Sequence, residues 1–336
     1  MQCPSCGRYL REESTICNYC GYHKEEEKSE TPVSLKKYGI VSFLIIAVGL
    51  SLFYVTRYET EDADKLVRAA RKEVEKGSEL LQKVESGLYP LRAVQVEVSD
   101  QMSAERNYAS ESRECITGVF EYLDAAEPHF ERAEEFLEKT EGMRLPGWYY
   151  QYVDTEKDII QKNREYAHVL RTLCINSEMY YEFAELYLEG EQLVIDLMND
   201  MDRGTDHLES EDYTFAFAAY DSALQQAKEA QEVYRAALKI IDLPYIDGLL
   251  LNLNYLERAL YNLSEAAHQM ELGNTEEANF LAALGTNEVS SMIHINKLQL
   301  KIEVTDWYKN NVTDLFSKLS SLQSEIEELK KEQESR

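Results

Sequence analysis

The 336-residue chain is predicted to be all-α: an extracytoplasmic array of helical hairpins, tetratricopeptide-like or coiled-coil-like, preceded by a small cysteine-bound metal module and one transmembrane helix. Three observations predict this. Two Cys-x-x-Cys turns open the chain, an uncharged stretch of membrane-spanning length follows, and beyond residue 57 apolar side chains recur at helical spacing with few breaks. Charge divides at the same point. The first 57 residues hold seven basic and six acidic side chains, the remainder 28 and 56, so the long segment carries all of the negative charge behind the chain's net −27. Such a surface disfavours nucleic acid and anionic headgroups as partners.

The first element is Cys3-Pro4-Ser5-Cys6-Gly7, with ten residues between Cys6 and Cys17, and then Cys17-Asn18-Tyr19-Cys20-Gly21. Each turn can aim two thiolates at one point, and four soft ligands close a tetrahedral Zn2+ site with no position left for water. Such a site is structural, and a module too short to bury a core should fold only with its metal. Disulfides, or iron in the same four-sulfur geometry, are the alternatives; His23 reads as a surface residue. These residues resemble the short zinc-ribbon family found at the N-termini of many bacterial and archaeal membrane proteins. The resemblance covers residues 1–23 and implies Cys3, Cys6, Cys17 and Cys20 as zinc ligands. Zinc ribbons bind protein or nucleic acid, but Arg8 and Arg11 are balanced here by Glu12 and Glu13, which favours protein binding or a structural plug.

A polar linker, residues 24–37, leads to an expected transmembrane helix over residues 38–56. No charge occurs between Lys37 and Arg57, and Tyr38 and Tyr54 mark the two ends. Basic residues flank the stretch on both sides, so charge does not orient it. Thiolate zinc persists in a reducing cytosol, which places the head inside and residues 57–336 outside a cell membrane. Ala47 and Ser51 form a small-xxx-small pair through which two spans could approach.

In the acidic segment, Val67, Ala70, Val74, Gly77, Leu81 and Val84 step by three and four, as do Tyr308, Val312, Leu315, Leu319, Leu322, Ile326 and Leu329. These seams predict a first and a last helix that pair with each other, or with a second copy. Breaks fall at Gly87 to Pro90, Gly142 to Gly147, Gly204, Leu243-Pro244 and Gly273-Asn274, the last with Asn274 and Glu277 as N-cap and capping partner. Val94 to Val98 alternates like a strand, but a lone strand builds no sheet. Tyr213, Ala216, Tyr220, Ala223 and Leu224 resemble the packing positions of a tetratricopeptide repeat, with a weaker echo from Gly273 to Ala278 and no clean period. The aromatic clusters at Trp148 to Tyr152, Tyr180 to Tyr187 and Phe215 to Tyr220 read mainly as core, otherwise as a face that grips a peptide or glycan.

Chemistry beyond the cysteines is sparse. Cys115 and Cys174 could form a disulfide or remain buried thiols, and Asn262 and Asn311 head glycosylation sequons. Two Glu-x-x-His pairs, Glu165 with His168 and Glu265 with His268, follow the spacing of di-iron bundles, though about one such match is expected by chance in a Glu-rich chain. No phosphate loop, zinc-protease motif or nucleophile elbow occurs. The expected function is therefore not enzymatic: a single-pass interaction or scaffold protein whose outer domain binds a protein or envelope component, with a homo-oligomer allowed. The alternative is a sensor that couples an external ligand to the zinc ribbon.

Overall fold

In the computed structural model the described residues are Gln2, Cys3, Cys6, Tyr9, Cys20 and residues 58–89, 91–96 and 101–335. The chain divides into two compact units, Met1–Tyr58 and Glu59–Arg336. In the first, Gln2 and Tyr9 form an isolated antiparallel bridge. The second is all-α, as its periodicity predicts.

Its helices are α1 (Thr60–Leu88), α2 (Met102–Glu138), α3 (Gly147–Glu209), α4 (Tyr213–Ile240), α5 (Pro244–Glu271), α6 (Thr275–Ser290), α7 (Lys297–Tyr308) and α8 (Asp314–Glu334). A π-helical turn, Lys309–Thr313, joins α7 and α8 into one rod. The spine is α3, whose 63 residues extend about 95 Å. It packs against α1, α2 and α8, with α2 reaching into its second half through Arg113–Glu185 and Arg106–Glu189, and against α4, after which α5 and α6 follow as successive neighbours. Parallel α1 and α3 stay in step: Asp64 accepts from Tyr149 Oη at 2.6 Å, Arg71 pairs with Glu156, and Ser78 donates to Asn163 at 3.1 Å.

The two seams read from the sequence are buried. Val67, Ala70, Val74, Gly77, Leu81 and Val84 form the inner stripe of α1, and Val312, Leu319, Leu322 and Ile326 that of the last rod. Their partners differ from expectation. The last helix packs antiparallel on α3, where Lys162 reaches Glu325 at 2.7 Å, while α1 packs on α2 and α3. The spine has a broad apolar circumference and takes both seams, so first and last helices meet at the rim of a cleft bordered by Leu81 and Ile326.

Gly204 is not a break. It sits inside α3, and a Cβ there would lie 2.8 Å from the Tyr220 ring. Gly190 faces Tyr234 in the same way at 2.7 Å, fourteen residues away on both helices. Two glycines thus seat two aromatic rings across the α3–α4 crossing. The helix ends later, at Ser210, with Glu211 at φ +61° and the Asp212 N–H bonded to His207 C=O. That six-to-one bond closes a Schellman-type end. The α5 terminus is built alike, with Gly273 at φ +81° and Asn274 N–H bonded to Gln269 C=O. Asn274 is the N-cap residue of α6, but its side chain makes no capping bond; its amide donates instead to Gln269 Oε1 at 2.7 Å.

The expected transmembrane helix is corrected: no helix among the described residues is long and apolar enough to cross a membrane. These helices bury one stripe and line the opposite face with charge. Residues 38–56, like the linker 24–37, lie outside the described residues.

Candidate functional site

Three of the four predicted zinc ligands lie together. The Sγ atoms of Cys3, Cys6 and Cys20 fall within 4.8 Å of one another, in a group that could hold a metal ion. Cys3 Sγ and Cys20 Sγ are 3.7 Å apart. Four sulfurs at about 2.3 Å from a tetrahedral zinc have edges of about 3.8 Å, whereas a disulfide requires about 2.0 Å. The spacing matches ligands around an ion rather than a disulfide. Cys3 is buried, and the Gln2–Tyr9 bridge brackets the first knuckle. Cys17 lies outside the described residues.

A second arrangement centres on Tyr180 in the middle of α3. The chain between α1 and α2 runs extended from residue 91 to 96, with Val94 and Val96 buried and Ala93 and Gln95 exposed. The Tyr180 hydroxyl accepts from Val94 N–H at 3.0 Å and lies 3.2 Å from Val94 C=O as a donor. Tyr181 Oη donates to Arg92 C=O at 2.8 Å, and Arg92 N–H donates to Tyr108 Oη at 2.7 Å. The Arg92 guanidinium forks onto Glu105 at 2.8 and 2.9 Å and lies 4.2 Å from the Tyr108 ring centroid. Gln95 N–H donates to the same carboxylate at 3.1 Å. Arg92 therefore holds the Glu105 carboxyl below the ordinary carboxylate range, against the opposing effect of burial.

On its other side the Tyr180 ring lies parallel to Trp307 and tilted against Tyr308, beside the π-helical turn. Asn176 Nδ2 donates to Asn311 C=O at 2.8 Å and pins that turn to α3. Two cavities, of about 370 and 330 Å³, border the extended segment and α7 and share Val96 and Lys301. Tyr180 and Tyr308 line the first, Tyr187 and Tyr245 the second. Arg92, Glu105 and Tyr108 were not legible as a site in the sequence. The signal that could have found them is an alternating apolar stretch with no strand to pair with, whose backbone groups must find side chains.

Other predicted positions do not assemble into sites. Cys115 and Cys174 are both free. Cys115 is exposed on α2 and directs its thiol to Gly87 C=O, while Cys174 is buried in α3, where burial pushes its thiol up to about 12. Asn311 Nδ2, the atom a glycan would occupy, donates to Trp307 C=O, and Ser264 of the Asn262 sequon is buried. Glu165 and His168 lie on α3, Glu265 and His268 on α5; among the described residues only the cysteine group converges as metal ligands do. Of the aromatic clusters, Tyr180, Tyr181, Phe183 and Tyr187 are core, whereas Trp148 and Phe215 face solvent.

No protein-family model, curated protein or solved structure matches the chain.

Proposed function

We propose that the protein is a binding rather than a catalytic molecule: a zinc-ribbon head, with Cys3, Cys6, Cys17 and Cys20 as ligands, joined to an acidic helical scaffold that engages another protein. The observation that carries the head is the 3.7 Å separation of Cys3 Sγ and Cys20 Sγ, a tetrahedral edge of a thiolate zinc site. A four-thiolate zinc has no open position, so its contribution is to fold the head rather than to activate water. We place the head in a reducing compartment, where such thiolates persist.

The scaffold reading is supported by the body's long rods and its acid-rich surface, which suits a basic or mixed protein surface better than nucleic acid. Its test has two arms. Full-length protein purified under reducing conditions should contain one zinc per chain, lost in Cys3→Ser and Cys20→Ser; iron in its place, or no metal, overturns the zinc head. Crosslinking in intact cells, read by mass spectrometry, should return a stoichiometric protein partner attached within residues 59–336. Self-crosslinks alone would sink the scaffold reading.

A further inference from the structure

An extended segment in a helical protein must satisfy its backbone N–H and C=O groups without a sheet. The 91–96 segment does so through side chains of α2 and α3: three tyrosine hydroxyls and one carboxylate bond the backbone of Arg92, Val94 and Gln95. What these helices read is mostly backbone shape. Side chains are read at three positions, a guanidinium at Arg92 and apolar groups at Val94 and Val96. The same division of labour serves peptide recognition, where main-chain bonds give affinity and pockets for alternate side chains give specificity.

We propose that the face formed by Glu105, Tyr108, Tyr180 and Tyr181 is a receptor for an extended Arg-x-Val-x-Val-type segment of a partner protein, and that residues 91–96 are its occupant in cis. The inference rests on the scaffold reading and specifies the segment that the scaffold takes. Glu105 is covered in part by the segment itself, whose Arg92 guanidinium forks onto it, so an emptied groove would lose that bidentate partner and present a carboxylate placed to take another guanidinium. The net negative charge of the chain favours the same class of ligand at long range. The two cavities beside the segment leave room for residues that flank an incoming strand. Because the cis segment is tethered at both ends, its local concentration is on the order of millimolar. A free segment therefore binds the wild-type chain weakly, in proportion to the fraction of molecules whose groove is vacant.

The test is a labelled Leu-Arg-Ala-Val-Gln-Val peptide titrated with the full-length chain and followed by fluorescence anisotropy. The wild type should bind it, and Val94→Asp, whose own segment no longer seats, should bind at least tenfold tighter. Glu105→Gln should weaken binding at least tenfold, and a peptide with Glu in place of Arg should fail with every variant. If Val94→Asp loses its helical circular dichroism, Arg92→Ala supplies the same comparison from a half-exposed side chain. No binding by a folded variant, or binding by the variants with none by the wild type, overturns the proposal and makes 91–96 a fixed part of the core. A chain that binds no peptide yet still crosslinks to a partner leaves the scaffold reading standing.

Discussion

Glu211 occupies the left-handed region at φ +61°, a conformation that costs an L-residue roughly 1 kcal/mol and glycine little. Gly273 holds the equivalent position at the end of α5. Glu211→Gly should therefore raise stability by up to about 1 kcal/mol, read as a higher urea midpoint at unchanged slope; a lower midpoint would mean that the glutamate side chain contributes more than its backbone costs. A second residue-scale expectation concerns Glu73, buried between α1 and α2 within 2.6 Å of Lys76 Nζ and of His129 Nδ1. Lys76 and then His129 hold its carboxyl below the ordinary range. A depressed folded-state value means the stabilisation is complete above the unfolded carboxylate pKa of about 4.3 and is lost as pH falls through the lower folded value. Urea titrations of wild type and Glu73→Gln should thus differ at pH 7 and converge in acid. A gap that stays constant down to pH 3 would show that the charge is not responsible. Residues of this kind divide by legibility. The cysteines announce their chemistry through local spacing, whereas Tyr180 and Val94 are 86 positions apart and no local pattern pairs them.

At the scale of helices, the stripes were readable and so were most ends: the breaks at Gly87 to Pro90, Gly142 to Gly147, Leu243-Pro244 and Gly273-Asn274 all fall at helix boundaries, and Gly204 alone does not. The α1 seam follows from three-and-four spacing alone, because one stripe of a helix in water must find cover. Gly204 misleads because the same absent Cβ serves two purposes: it permits a turn, and it permits a ring to approach a helix axis. Only the tyrosines fourteen residues apart on α4 decide between them. Gly190→Ala should cost about 1–3 kcal/mol, since the added methyl meets a buried ring that has nowhere to move. Gly118→Ala is its contrast. That glycine is exposed in the interior of α2 with nothing near its Cβ position, and the change should stabilise by about 0.5–1 kcal/mol. Equal effects at the two positions would refute the seating of Tyr234 on Gly190. Pairing partners were also hidden, because a seam specifies that a face is covered but not by which helix.

For the molecule as a whole, charge and the proposed metal make separable demands. Most ion pairs of the body have an exposed partner, as in Arg164 with Glu127 and Glu134 or Arg171 with Asp124, and such pairs contribute little. Repulsion among 56 acidic side chains is the larger effect. Added salt should therefore raise the thermal midpoint of the body as screening shortens to about 8 Å at physiological ionic strength. A falling midpoint would mean that the ion pairs outweigh the repulsion. Chelation is expected to act elsewhere. The body's core draws on residues from Ala63 onward, so removing metal should leave its helical unfolding transition in place while reactive thiols emerge at the head.

The π-helical turn has one more consequence. Leu300, Val304, Tyr308 and Val312 follow each other at intervals of four, whereas Val312, Leu315, Leu319, Leu322 and Ile326 alternate three and four. An α-helix advances about 100° per residue, so steps of four overshoot a full turn by about 40° each. The bond from Asp314 N–H to Lys309 C=O, five residues back, inserts slack that absorbs this drift. The rod is a screw with one widened thread, and its two halves are indexed to each other by a single residue. Deleting one position from the turn would leave every side chain chemically intact, yet rotate Leu319, Leu322 and Ile326 together away from α3. The length of that turn acts as a phase key, and the composition of α8 means little without it.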